Sequence, residues 1–241
     1  MDKKDRIFVI GMVCVVIGSL IGILLTAGMV WADLEAMLFI FGLEGDESTN
    51  DLDCPVLMTT NETREVSLTL KNPGENVNSP YVIATISEGY FTLTRNIKQE
   101  VKLDPGEKKK VSWEIFPEDA AYQRIVLFKV YVRQSYPYPS LKGNCGVLVL
   151  DVPLLKGKQV MALALGLTFV MILGGNAILQ YQYRNAALGP SRQYMSKAMY
   201  IMSILIALGI LISYLGYWLG GLILLFIILI MIVILILQVA L

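Results

Sequence analysis

Four long apolar blocks, unevenly spaced, organise this chain. They are Ile7–Val30, Val160–Gln180, Ala198–Leu215 and Leu219–Leu241. About 20 apolar residues in helical form cross the ~30 Å hydrocarbon layer of a bilayer. The first two blocks each meet that length. The last two share about 45 residues, enough for two spans joined by a tight turn at Gly216–Gly221. Between the first and second blocks the period changes. Val66, Leu68 and Leu70 alternate with Ser67, Thr69 and Lys71; Val111, Trp113 and Ile115 alternate with Ser112 and Glu114; Val126, Phe128, Val130 and Val132 alternate with Leu127, Lys129, Tyr131 and Arg133. Period two is the signature of half-buried strands. Turn signals at Asn72-Pro73-Gly74, Asn78-Ser79-Pro80, Asp104-Pro105-Gly106 and Tyr136-Pro137-Tyr138-Pro139 separate the strands. The spacing predicts an antiparallel β-sandwich. The fold class expected is therefore α+β: four transmembrane helices with a sandwich inserted between helices 1 and 2.

The expected boundaries follow. Transmembrane helix 1 occupies 1–31. An interfacial helix and acidic linker fill 32–53, and the sandwich 54–154. Transmembrane helix 2 covers 155–183, a cytoplasmic loop 184–196, and a hairpin of helices 3 and 4 spans 197–241. The first block has a basic start (Lys3, Lys4, Arg6) and a Val30-Trp31-Ala32 ending, as a signal peptide would. Its apolar core of about 24 residues exceeds the usual 7–15, so an uncleaved anchor is expected. Lys3, Lys4 and Arg6 before span one agree with Arg184, Arg192 and Lys197 between spans two and three. Both places are expected to be cytoplasmic, with the C-terminus, which puts residues 31–157 outside the cell membrane. Tyr181, Tyr183, Tyr194 and Tyr200 would mark the inner interface, and Trp31, Tyr214, Tyr217 and Trp218 the outer one.

Within Ala32–Gly45, Leu34, Met37, Leu38 and Phe41 follow helical spacing, which predicts a short helix on the outer membrane surface. The alternatives are a continuation of span one or a strand. Glu44, Asp46, Glu47, Asp51 and Asp53 come next. They could supply oxygen ligands to Ca²⁺, but they lack ordered loop spacing, and a solvated linker is expected.

The outer stretch resembles a known fold. Val66–Pro73 (VSLTLKNP), followed by Leu103-Asp104-Pro105-Gly106-Glu107 leading into Val111–Ile115, looks like the immunoglobulin-like sandwiches of the CARDB type in bacterial and archaeal surface proteins. The resemblance implies an immunoglobulin-like sandwich and the roles such domains usually have: spacer, adhesion module or assembly surface. It does not extend to the whole chain and implies no chemistry.

Composition narrows the function. The chain of 241 residues is 55% hydrophobic and 17% charged, against about 25% charged in soluble domains. Lys plus Arg equals Asp plus Glu at 20 each, so no basic surplus points to nucleic acid. There are no histidines, which removes the commonest general base and metal ligand. No Asp, Glu, Lys or Arg lies well inside a block, so proton relays and ion pathways lack their usual residues. Neither cofactor nor metal is expected. Cys54 and Cys145 both fall outside, where an oxidising compartment favours a disulfide. Cys14 lies mid-span and reads as a packing residue.

Helix contacts are expected at Gly11, Gly18 and Gly22, which share one face and include a GxxxG motif. Ala162, Ala164, Gly166, Gly174, Gly175 and Asn176 make a second small-residue face, with Asn176 expected in an interhelical hydrogen bond. The glycines fit packing within the bundle or against a neighbouring subunit. Tyr131, Arg133, Tyr136 and Tyr138 form a candidate partner-contact segment, since aromatic and Arg side chains anchor interfaces. Asn61-Glu62-Thr63 matches a glycosylation sequon.

The function expected is non-enzymatic: an integral membrane protein whose outer sandwich contacts other proteins, as an accessory or assembly subunit or in a surface assembly. Its partners would be the bilayer and other membrane subunits or copies of itself. The alternative is a homo-oligomeric tetraspan forming a junction or pore, similar to claudins in layout alone: Glu44 stands where the claudin pattern has tryptophan after Gly42-Leu43. Ser19, Thr26, Asn176, Ser203 and Ser213 are its few intramembrane polar residues. An enzyme would need a Ser-Lys dyad or paired carboxylates, and neither is visible.

Overall fold

The computed structural model describes residues 3–39, 46–49, 51–185 and 190–240. The chain divides into a helical unit, Met1–Val30 with Val160–Leu241, and a β unit, Trp31–Gln159.

The helices are α1 (Lys3–Phe39), α2 (Gly157–Asn185), α3 (Pro190–Tyr214) and α4 (Trp218–Ala240). All four are long and apolar enough to cross a membrane. α1 has 37 residues and so is roughly 55 Å long, well beyond one hydrocarbon thickness. α3 opens on Pro190, where a missing N–H costs nothing. It stops at Gly216, whose φ of 80° suits glycine. There the Tyr217 N–H donates to Ile212 O at 3.1 Å and the Gly216 N–H to Ser213 O at 3.0 Å, closing the helix end. The turn is thus Leu215–Tyr217, not the expected Gly216–Gly221; Gly220 and Gly221 belong to α4. The expected loop 184–196 is also shorter, because α2 continues to Asn185 and α3 begins at Pro190. Residues 186–189 lie outside those described.

Among its described residues the β unit holds nine strands. They are β1 (Glu47–Ser48), β2 (Leu52–Asp53), β3 (Leu57–Thr59), β4 (Arg64–Lys71), β5 (Tyr81–Glu88), β6 (Tyr90–Glu100), β7 (Lys108–Ile115), β8 (Ile125–Arg133) and β9 (Leu141–Leu150). One sheet has the order β1-β9-β8-β5-β6, with β3 also on β9; the other is β2-β4-β7. The period-two stretches are β4, β7 and β8. Their inward residues meet between the sheets: Val66, Leu68, Trp113 and Ile115 from one side, Val82, Ile86, Phe128 and Val147 from the other. Trp113 and Phe128 touch with ring centroids 5.4 Å apart.

Two expectations need correction. The sandwich is not purely antiparallel, because β1 and β3 pair parallel to β9. The segment after span one is also no separate interfacial helix. It is the end of α1, and it buries Ala32, Ala36 and Phe39 against Ala121, Ile125 and Leu127 of the β unit. Of the residues on the expected apolar face, Met37 and Leu38 are exposed and Leu34 is half-buried, while Phe41 lies outside the described residues. The two corrections share a cause. The Ala32 backbone lies against Gly146 in β9, so close that a Cβ there would overlap the Ala32 carbonyl. Farther along, Lys129 Nζ donates to Phe39 O at 3.2 Å and sits 4.6 Å from the Phe39 ring centre. Burial there lowers the Lys129 pKa from the usual lysine range. The end of α1, from Ala32 to Phe39, thus runs along the sheet against the direction of β9. The returning chain must then run with β9, and it pairs parallel to it. The acidic residues 46–53 are consequently part of the sheets through β1 and β2, and the sandwich begins before the expected residue 54.

A short 3₁₀ turn, Pro117–Asp119, precedes β8. Asp119 accepts from Arg95 Nη2 and from the Phe116 N–H, each at 2.9 Å. Burial raises its pKa against these two opposing effects, and burial prevails.

Phe128 is fully buried at the centre of the sandwich. Phe128→Ala is expected to destabilise the β unit by about 3–5 kcal/mol. Denaturant unfolding of the full chain in detergent measures it; a loss below about 1 kcal/mol would place Phe128 outside the core.

Candidate functional site

The chemistry-bearing residues gather in three places: the disulfide, the loop end of the sandwich, and the helix interior. Cys54 directly follows β2 of the small sheet, and Cys145 lies within β9 of the large one. They form a disulfide with Cα atoms 6.5 Å apart and a sequence separation of 91. The bond therefore ties sheet to sheet. Closing such a loop is worth about 4–5 kcal/mol in the chain-entropy model. Cys54→Ser is expected to lower stability by about that amount. Comparing denaturation midpoints with and without reductant tests it, and identical midpoints for wild type and variant would contradict it.

The Tyr131–Tyr138 segment lies where β8 ends and β9 begins. This is the end of the sandwich away from the β9 terminus at Leu150 that leads to α2. Its four candidate residues have different fates. Tyr131 and Arg133 belong to β8, with Tyr131 half-buried and paired to Lys142. Tyr138 is spent locally, because its hydroxyl fills the space over Gly74. Arg133 is exposed on the strand, and Tyr136, on the loop, stands clear at 98% exposed. Three loops are knotted beneath it. Buried Asn72 donates from Nδ2 to Asn76 O at 2.8 Å and Leu103 O at 3.2 Å, joining the two Pro-Gly turns. The Gly74 N–H donates to Asn72 Oδ1 at 3.1 Å.

Asp46 closes the same end. Its Oδ2 accepts from the Ser140 N–H at 3.1 Å and from Ser140 Oγ at 2.8 Å, while its own N–H donates to Ser140 Oγ at 3.2 Å. The Ser140 N–H, the largest cause, holds the exposed Asp46 carboxyl below its usual pKa, aided by the Ser140 hydroxyl. A lowered native pKa gives stability that is present above the unfolded value of about 3.9 and is lost as pH falls through the native value. Protection of the Ser140 amide against hydrogen exchange should therefore drop on acidification below about pH 4, and should drop at neutral pH in Asp46→Ala, which removes the acceptor. Protection unchanged in both conditions would disprove the clasp. Sequence reading missed this pair because 94 residues separate its members.

The remaining acidic residues do not cluster. Glu44 is outside the described residues, and among those described no group of three Asp, Glu or Cys side chains is placed to hold a metal. The sequon has structural work: Asn61 Nδ2 donates to Pro153 O at 2.6 Å, and Glu62 Oε1 accepts the Gly157 N–H at 2.6 Å, capping the start of α2.

In the helical unit, the α1 glycines meet helices of the same chain. A Cβ on Gly11 or Gly18 would lie 2.9 Å from Ile178 or Ile172 of α2, and one on Gly22 would lie 2.5 Å from Ile206 of α3. Gly175 answers Gly11 from α2, with the Gly11 carbonyl 2.7 Å from its Cβ position. Gly166 and Gly174 face open space, so the small-residue face of span two narrows to Gly175 and its neighbours. Asn176 Nδ2 donates to Ser203 Oγ of α3 at 2.9 Å and to Ile172 O at 2.8 Å. Thr26, Thr168 and Ser203 each donate to the carbonyl four residues earlier.

No protein-family model matches the sequence, and no curated protein matches it. Among solved structures, the chain is similar to the CARDB domain of a Pyrococcus furiosus protein, described as a complex with di-metal ions. Identity is 22% and the TM-score 0.31, over 41% of this chain and 84% of that one. It is also similar to a β-glucosidase from Erythrobacter marinus at 19% identity and TM-score 0.28, over 39% of this chain and 14% of that one. A Listeria innocua β-glucosidase in complex with glucose gives 20% identity and TM-score 0.28, over 41% of this chain and 15% of the enzyme. The chain thus spans about a seventh of each glucosidase. The β unit carries the weak CARDB-type, immunoglobulin-like resemblance, and no family model matches the chain.

Proposed function

We propose that this is a non-enzymatic integral membrane protein that contacts other proteins through the loop end of an extracytoplasmic, immunoglobulin-like sandwich. It would act as an accessory or assembly subunit of a membrane complex. The strand order supports the immunoglobulin-like reading: β2-β4-β7 opposes β9-β8-β5-β6, as strands A, B and E oppose G, F, C and C′ in such folds. The bridge differs, joining the first strand to the last rather than the central pair. A disulfide across the sandwich suits an oxidising compartment. Basic residues at the start of α1 (Lys3, Lys4, Arg6), at the end of α2 (Arg184) and at the start of α3 (Arg192, Lys197) support a cytoplasmic N-terminus.

The observation that carries the proposal is Tyr136. An aromatic ring 98% exposed, on a loop tied down by the Asp46–Ser140 clasp and by Tyr138, is a preorganised anchor. Such a ring binds with little further ordering cost. The pore alternative has less behind it, because Thr26, Thr168, Asn176 and Ser203 spend their polar groups within the chain's own helices.

The test is a photoreactive residue placed at position 136 of the full chain in its native membrane. It should crosslink to one defined protein, whereas the same residue at exposed Glu114, toward the other end of the small sheet, should not. A second copy of this chain as the crosslinked species would favour the homo-oligomeric alternative. No crosslinked protein at 136 would overturn the proposal.

A further inference from the structure

The opposite end of the β unit carries a different surface. β9 leaves it toward α2, and Trp31, the first residue after the apolar block Ile7–Val30, enters it. A cleft of about 490 Å³ opens there, lined by Trp31, Glu35, Tyr122, Arg124, Ile125 and Leu127. Its size falls within the roughly 300–1,000 Å³ of small-ligand sites.

The wall of this cleft is built against local preference. Ala121–Arg124 is a tight turn before β8, in which the Arg124 N–H donates to Ala121 O at 3.1 Å and the Ala121 N–H to Ile125 O at 2.8 Å. Its two central residues, Tyr122 and Gln123, have φ of 54° and 59°, the left-handed region that glycine or asparagine usually fills. The surroundings enforce it. The Val149 N–H of β9 donates to Arg124 O at 2.7 Å, and the preceding 3₁₀ turn is held by Ser87 Oγ, which donates to Asp119 O at 2.7 Å, and by Arg95. The outcome is a tyrosine and an arginine projected beside Trp31.

The chemistry of the lining is amphipathic and balanced. Trp31 and Tyr122 are 60% and 64% exposed, and aromatic faces of this kind attract cations. Glu35 adds a negative charge. Arg124 supplies a planar donor fork suited to phosphate. The ion pairs among the described residues are Arg64–Glu62 and Arg95–Asp119, so Arg124 and Glu35 do not neutralise each other. Leu154, on the link from β9 to α2, is 91% exposed at the same end. A tryptophan directly after an apolar span, as Trp31 is, belongs to the water–lipid boundary.

We infer that this cleft binds the headgroup of a zwitterionic phospholipid, with Arg124 on the phosphate and the ammonium group among Trp31, Tyr122 and Glu35. The assignment needs only that α1 is embedded in a bilayer. It does not depend on the distal Tyr136 contact and can fail separately from it.

The full chain is taken from nanodiscs containing equal amounts of phosphatidylcholine and phosphatidylglycerol, and retained lipid is counted by native mass spectrometry. Wild type should keep phosphatidylcholine in preference. Arg124→Gln and Trp31→Leu should each reduce its retention about fivefold or more, the factor for losing one charge-assisted or cation–π contact. Tyr136→Ala, at the far end, should retain as much as wild type. An intact disulfide and an unchanged melting temperature identify the folded variants, and Arg124→Gln, on the surface, serves if Trp31→Leu misfolds. Equal retention by wild type and Arg124→Gln would overturn the inference, as would equal retention of the two lipids. Binding of free glycerophosphocholine as tight as that of the intact lipid would overturn the lipid assignment in favour of a soluble ligand.

Discussion

The β unit depends on one close approach: the backbone of α1 at Ala32 lies directly on Gly146 of β9. Only a residue without a side chain permits it. That contact sends the end of α1 along the outer face of the large sheet, past Leu127 and up to Lys129. The chain therefore reaches the far end of the sandwich before laying down a single strand. The chain then returns in the direction of β9, so β1 and β3 pair with it in parallel. Cys54 then arrives opposite Cys145, the neighbour of Gly146, and the disulfide locks the returning chain to β9. The first and last strands of the sandwich are thus fixed to each other twice, by hydrogen bonds and by a covalent bond.

Within the helical unit the governing constraint is different. Lipid offers no hydrogen bonds, so each polar group must find a partner inside the protein. Most of the few hydroxyls bond back to their own helix, and Asn176 reaches across to Ser203. Ser19 and Ser213 are buried without a partner among the described residues. Close glycine contacts between α1, α2 and α3 provide packing where the hydrophobic effect supplies little drive. α4 stands apart: only 11% of its span is buried, and nearly all its side chains are aliphatic. Its outer surface suits hydrocarbon better than any polar conduit.

The two ends of the sandwich are specialised in opposite ways. At the far end, buried Asn72, the Asp46–Ser140 clasp and Tyr138 hold three loops together and leave one tyrosine free. At the near end, a strained turn projects Tyr122 and Arg124 next to the start of the β unit. The tyrosine-rich segment was legible as a candidate contact region, yet its four residues could not be ranked from order alone. Alternation along β8 assigns Tyr131 and Arg133 to the outer face of a sheet, and only the approach of the Gly74 turn removes Tyr138 from the surface. The near-end cleft left no local trace. Its residues come from two stretches about ninety positions apart in the sequence, and Tyr-Gln is a poor signal for a turn that usually takes Asn-Gly.

Local periodicity by itself determined the element types: four apolar helices, period-two strands between the first and second, and Pro-Gly turns at the joints. These follow from burial of near neighbours on a face, which the order of residues records directly. The cysteine pairing was also readable, since two cysteines outside the apolar blocks leave one partner each. Tertiary structure alone decided where α1 ends, which strands run parallel, which glycines are packed and which tyrosine is free. Each of those outcomes turns on contacts between distant segments, Ala32 with Gly146, Asp46 with Ser140, Gly11 with Gly175. A chain order has no periodic signal for such contacts, because they depend on where two separately formed surfaces happen to touch.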